Sequence, residues 1–131
     1  MLIDTNIFLE LLLDQKKANE CELFLKEILE GKKAAFITSF SIDSVVLAMI
    51  RNNAENKEII NFLTSLKKYK GLKIHTFSLK DRINALSLIE KYNLDYEDSI
   101  ILQTAISTKS TEIVSFDKDF DKVKEINRIE P

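Results

Sequence analysis

The chain has 131 residues, 45% of them apolar and 31% charged, with a formal net charge of −2. That size suits one domain over 1–131, able to bury roughly two-thirds of its unfolded surface, and the balance excludes a disordered chain. The lone cysteine, Cys21, excludes an intrachain disulfide and a multi-cysteine metal site and reads as apolar filler. With no basic leader, no small-residue cleavage site and no apolar run near the roughly 18 residues of a membrane span, a cytoplasmic protein is expected.

In chain order, residues 1 to 4 read as a first strand closed by Asp4. Ile7 to Leu13 and Lys16 to Leu29 carry apolar residues at three- and four-residue intervals and read as two helices, the second stopped by Gly31. Ala34 to Thr38 is a β-favouring run, and Ser39-Phe40-Ser41 offers hydroxyl caps for a helix holding Ile42, Val45, Val46, Met49 and Ile50. A helix over about 56–70 points Ile59, Ile60, Phe62, Leu63 and Leu66 inward and ends at Gly71. Leu72 to Phe77 is a strand, and Ser78 caps a helix from Leu79 to Tyr92 with Ile83, Leu86 and Ile89 or Leu88 as its buried stripe. Asp95 to Thr108 is a helix, Glu112 to Phe116 a strand, and Arg128 to Glu130 a last short one. Strands separated by helical crossovers imply βαβ units and a parallel sheet, so the fold class is α/β.

In such sheets the working crevice lies beyond the carboxyl ends of the strands. Asp4 ends the first strand; Asp117 and Asp119 follow the "EIVSF" strand; Asp95 and Asp98 sit three residues apart at the start of a helix. Taken singly, Asp95 also suits a helix N-cap and Asp119 a solvated charge run. Asp4 is harder to place so, because a carboxylate closing a buried strand loses hydration and no basic residue lies near it in sequence. Carboxylates gathered together raise one another's pKa unless a divalent cation sits among them, and hard oxygen ligands select Mg2+ or Mn2+ over zinc. Metal-assisted phosphodiester hydrolysis follows. If those five aspartates share one site, the remainder of the chain carries +3 rather than −2, a mildly basic body around an acidic pocket.

"MLIDTNIFLE", "LDYEDSIILQTAI" and "IVSFDKDFDKV" resemble, in order and spacing from residue 1 to about 123, the acidic motifs of PIN domains. The resemblance implies a PIN-like three-layer α/β/α sandwich with a central parallel sheet and a Mg2+- or Mn2+-dependent endoribonuclease. It further implies an RNA substrate, a homodimer, and the toxin role of a VapBC pair with an antitoxin partner. By position Asp4, Asp98 and Asp117 would hold metal, and Asp95 would be an additional acid of the pocket. Asn6 and Ser115 would orient ligands or water from behind those acids, and Thr5 would fix the turn. One motif departs: Ser44 stands where the family usually places a Glu, with Asp43 one residue earlier, about 100° around the helix. Asp43 suits either a substitute acid or a helix cap.

Other features admit plainer readings. His75 reads as a packed or edge residue rather than a base. "KKYKG" suits RNA phosphates with Tyr69 stacked on a base, or, more simply, a solvated helix end. The apolar stripes Leu9 to Leu13 and Phe24 to Leu29 suit a dimer or an antitoxin helix in a groove. A phosphoacceptor receiver domain would want an Asp after a central strand, which neither "AAFIT" nor "LKIHTF" supplies. A PIN-like RNA-processing nuclease, or a catalytically weak RNA- or protein-binding module, stays open because of Ser44.

Overall fold

The computed structural model describes residues 1–131, in which pairs of helices separate the first four strands. Strands β1 (Leu2–Ile3), β2 (Ala35–Thr38), β3 (Leu72–His75), β4 (Glu112–Val114) and β5 (Asn127–Ile129) form one sheet in the order β3-β2-β1-β4-β5, with every neighbouring pair parallel. The helices are α1 (Thr5–Leu12), α2 (Ala18–Leu29), α3 (Ser39–Arg51), α4 (Asn56–Leu66), α5 (Leu79–Tyr92) and α6 (Tyr96–Ser107), followed by a 3-10 turn over Lys118–Lys122.

Successive strand side chains point to opposite faces, and the core divides accordingly. Ile3, Ala35, Ile37 and Val114 pack with Phe8, Leu25, Ile28, Val45 and Phe62 from α1 to α4. Leu2 and Ile113 pack on the other face with Leu88, Leu94, Ile101, Leu102 and Ala105 from α5, α6 and the segment between them. The result is the expected three-layer α/β/α sandwich. Cys21 is fully buried in the first core, and burial pushes its thiol up to about 11, which suits an inert filler.

Strand order places the site. The chain steps outward from β1 to β2 to β3, then returns to lay β4 on the other side of β1. The order therefore reverses between β1 and β4, and the crevice opens beyond their carboxyl ends. The Asp4 N–H donates to the Val114 carbonyl at 3.0 Å, locking these two strand ends together.

Several expected inward residues face outward instead. On α4, Ile59, Phe62 and Leu66 form the buried stripe, whereas Ile60 and Leu63 lie a step around the helix and are exposed. Ile50, one of the apolar residues of the α3 pattern, is exposed as well. On α5 the buried positions are Ala85 and Leu88, and Ile83 and Leu86 are 62% and 55% exposed. The small Ala85 lets α5 approach the Phe77 and Ile100 cluster, which turns the larger side chains away from the core. Phe24, Leu25 and Ile28 of α2 are absorbed into the core, leaving Leu23 its most exposed large apolar residue. The cap of α3 is Thr38, whose hydroxyl accepts from the Ser41 N–H at 2.7 Å, rather than a hydroxyl of the Ser39-Phe40-Ser41 run. Gly71 does not end α4, which stops at Leu66; a Cβ there would fall 2.0 Å from the Lys33 carbonyl oxygen, so only glycine fits.

Candidate active site

Asp4 ends β1 and caps α1 with extended backbone, so the strand stops where its carboxylate enters the crevice. It is only 5% exposed. The Ser115 hydroxyl and the Asn6 side-chain amide both donate to Asp4 Oδ2, each at 2.5 Å. Ser115 Oγ also accepts from Asn6 Nδ2 at 3.1 Å and from the Asp117 N–H at 2.9 Å. Asn6 and Ser115 thus tie the end of β1 to the segment leaving β4, and Asp117 is positioned through that link.

The third acidic segment begins α6. Asp95 is its N-cap, accepting from the Asp98 N–H at 2.8 Å, so the capping function expected of it is present within the site itself. Asp98, one turn in, is 7% exposed. Carboxylate oxygens of Asp98, Asp117 and Asp119 lie within 4.8 Å of one another. Asp119 also pairs with Lys122 at 2.8 Å, and its N–H donates to Asp117 Oδ1 at 2.8 Å. Asp4 is not part of this trio but repels Asp98 and Asp117 across the same cleft.

The electrostatics show what the geometry lacks. Burial pushes the Asp98 carboxyl up to about 7, with further rises from Asp95, Asp117, Asp4 and Asp119. Burial likewise raises Asp4 to about 6, against the Ser115 hydroxyl and the Thr5 backbone, with Glu97 and Asp117 adding repulsion. These carboxylates converge without enough positive charge to offset them. Opposite oxygen ligands of an octahedral Mg2+ stand about 4.2 Å apart, so the spacing of the Asp98, Asp117 and Asp119 oxygens fits a hard divalent cation.

The cleft has a volume of about 490 Å³ and is lined by Asp4, Asp95, Glu97, Asp98 and Asp117, with Ser44 and Arg51 among the residues from α3. Asp43 is exposed and does not line it, so no acid of α3 faces the cleft. Glu97 and Arg51 were not anticipated from sequence. A Glu in the first turn of a helix is ordinary dipole-favouring charge. What marks Glu97 is the Thr5 hydroxyl, which donates to Glu97 Oε1 at 2.9 Å and which also makes Thr5 more than a turn residue.

A PIN domain model matches residues 1–126. The chain belongs to the PIN domain family. Three solved structures share the fold. A toxin-antitoxin complex from Klebsiella pneumoniae is 20% identical, covers 95% of this chain and 93% of its own, and has a TM-score of 0.72. VapC20 of Mycobacterium tuberculosis, a sarcin-ricin loop cleaving toxin, is 8% identical over 99% of this chain and 98% of its own, with a TM-score of 0.78. VapBC2 of Rickettsia felis, bound to a DNA fragment from its promoter, is 16% identical over 98% and 96%, with a TM-score of 0.68. No protein of curated function matches the chain in sequence. In this PIN chain the acids of all three resembling motifs meet at the β1/β4 crevice, while the α3 position offers Ser44.

Two features outside the cleft are now placed. Tyr69 is half-buried against Phe8 at a ring separation of 6.4 Å, so "KKYKG" is a solvated helix end whose aromatic ring belongs to the core rather than to a base. His75 Nε2 lies 3.6 Å from Asp81 Oδ2, away from the cleft. No helix is long and apolar enough to cross a membrane.

Proposed function

We propose that this PIN chain is an endoribonuclease that hydrolyses RNA phosphodiester bonds with Mg2+ or Mn2+, as the cytoplasmic toxin of a VapBC-type pair. The observation that carries the reading is the convergence of Asp4, Asp98 and Asp117 at the strand-order reversal, with carboxyls pushed up to about 6 and 7 at Asp4 and Asp98. Asp98 and Asp117, with Asp119 beside them, would hold the cation, and Asp4 would join them when it binds. When bound, the ion would polarise the phosphodiester and lower the pKa of an attacking water. Asn6 and Ser115 fix the orientation of Asp4, Asp95 fixes the first turn of α6, and Thr5 holds Glu97 in the cleft. Glu97 supplies a carboxylate that α3 lacks at Ser44.

The toxin role draws on the described neighbours, two of which are toxin-antitoxin complexes or pairs and one a toxin that cleaves the sarcin-ricin loop. Leu79, Ile83 and Leu86, exposed along α5 at helical spacing, suit a homodimer contact, and exposed Leu47, Ile50, Ile60 and Leu63 on α3 and α4 suit an antitoxin segment. Purified protein incubated with structured and unstructured RNA should cleave with Mn2+, stop with EDTA, and fail as Asp98→Asn. Cleavage that ignores EDTA and the substitution would refute the reading.

Ser44 in the cleft favours a second reading, a catalytically weak RNA- or protein-binding module. Under it the protein takes up Mn2+ and retains RNA but turns phosphodiesters over only slowly, and Ser44→Glu raises that slow cleavage.

A further inference from the structure

We propose that Arg51 is a positioning residue that holds an RNA phosphate flanking the bond to be cut. The inference rests on the ribonuclease reading above. The chain has three arginines, and two of them are committed. Arg128 pairs with Asp121 and Glu130, at 2.6 and 3.0 Å. Arg82 donates to the backbone carbonyls of Phe77 and Ser78 and lies over the Phe77 ring. Arg51 pairs with no carboxylate, yet it is the one basic residue lining a cleft that holds five acids.

Its place on α3 explains why that matters. Phe40, Ser44, Ala48 and Arg51 recur at helical spacing, so α3 presents one face to the cleft, running about 16 Å from Phe40 to Arg51. That face carries no acid, whereas the opposing acids come from the β1 end, the β4 end and α6. An RNA strand brings a negative phosphate on either side of the scissile one. A flanking phosphate near the carboxylates would be repelled, whereas on the α3 side it meets the one cation lining the cleft, Arg51, whose guanidinium fork suits bidentate phosphate contact. Arg51 also sits in the last turn of α3, where a cation favours the helix dipole, but a dipole role alone would leave RNA binding unchanged.

The test compares wild type, Arg51→Ala, Arg51→Lys and Lys16→Ala, the last removing an exposed charge outside the cleft. Cleavage of a fluorescein-labelled single-stranded RNA is followed in Mn2+, and its binding by anisotropy with Ca2+ substituted to hold off cleavage. Arg51→Ala should raise KM and the dissociation constant roughly tenfold, with kcat within about twofold, and should flatten the salt slope of binding by about 0.7. Arg51→Lys should restore the slope but only part of the affinity, and Lys16→Ala should change neither. Unchanged affinity and slope in Arg51→Ala, or a loss confined to kcat, overturns the assignment while leaving the ribonuclease reading intact. A wild type that neither binds nor cleaves the RNA overturns both.

Discussion

Asp81 and Asp98 occupy the same position, the third residue of a helix, in α5 and α6 respectively, and their chemistry is opposite. Asp81 closes a capping box: Oδ2 accepts from the Ser78 N–H at 2.9 Å and the Ser78 hydroxyl at 2.7 Å, and Oδ1 accepts from the Ser107 hydroxyl at 3.1 Å. Burial alone would raise its pKa, but those donors from Ser78 and Ser107, with His75 beside it, bring the carboxyl down to about 2. Asp98 follows an aspartate cap instead of a serine, receives no such return bond, and faces four other aspartates, so its carboxyl rises to about 7. One carboxylate is spent on folding; the other is left wanting a cation. Helix position alone does not set which way a carboxyl's pKa moves; the donors and charges around it do.

The largest effect expected from this contrast is on turnover. Asp98→Asn should lower RNA cleavage roughly a hundredfold or more. Measured by thermal melting in EDTA at pH 8, the same substitution should raise stability, because it removes a charge that the folded state holds poorly. A variant that is destabilised without metal would contradict the contrast.

The pH dependence comes next. Asp4 and Asp98 bind protons more tightly folded than unfolded, with folded values of about 6 and 7. Their penalty on the metal-free protein is absent below the unfolded carboxylate range and complete above those values, so stability should fall as pH rises from about 4 to 7. Asp81 runs the other way: its contribution is complete above the unfolded range and is lost as pH falls toward about 2. Melts in EDTA from pH 5 to 8 should therefore slope downward in wild type and less so in Asp98→Asn.

Glu97→Gln should weaken Mn2+ affinity about tenfold in calorimetric titration, the scale found for groups that support a metal site. Smallest is Asp81→Ala, expected to cost about 1 kcal/mol of stability through loss of the capping box while RNA cleavage stays within twofold.

Much of this was legible in the sequence where two signals coincided. The run ending at Asp4 combines apolar strand residues with an uncompensated carboxylate, and "IVSFD" does the same for Asp117, so both strand ends and both acids could be placed at once. The face of α5 could not, because Ile83 and Leu86 fit the helical period as well as Ala85 and Leu88 do, and only packing against Ile100 decides between them. Glu97 and Arg51 were hidden for a related reason: each looks like an ordinary dipole-favouring charge at a helix end, and its direction toward the cleft is a tertiary fact.

The most direct measurement is anomalous scattering from a crystal soaked in Mn2+. Ion density should appear among the carboxylates of Asp98 and Asp117 and be lost in Asp98→Asn. A crystal that takes up Mn2+ elsewhere and leaves those carboxylates bare would contradict it.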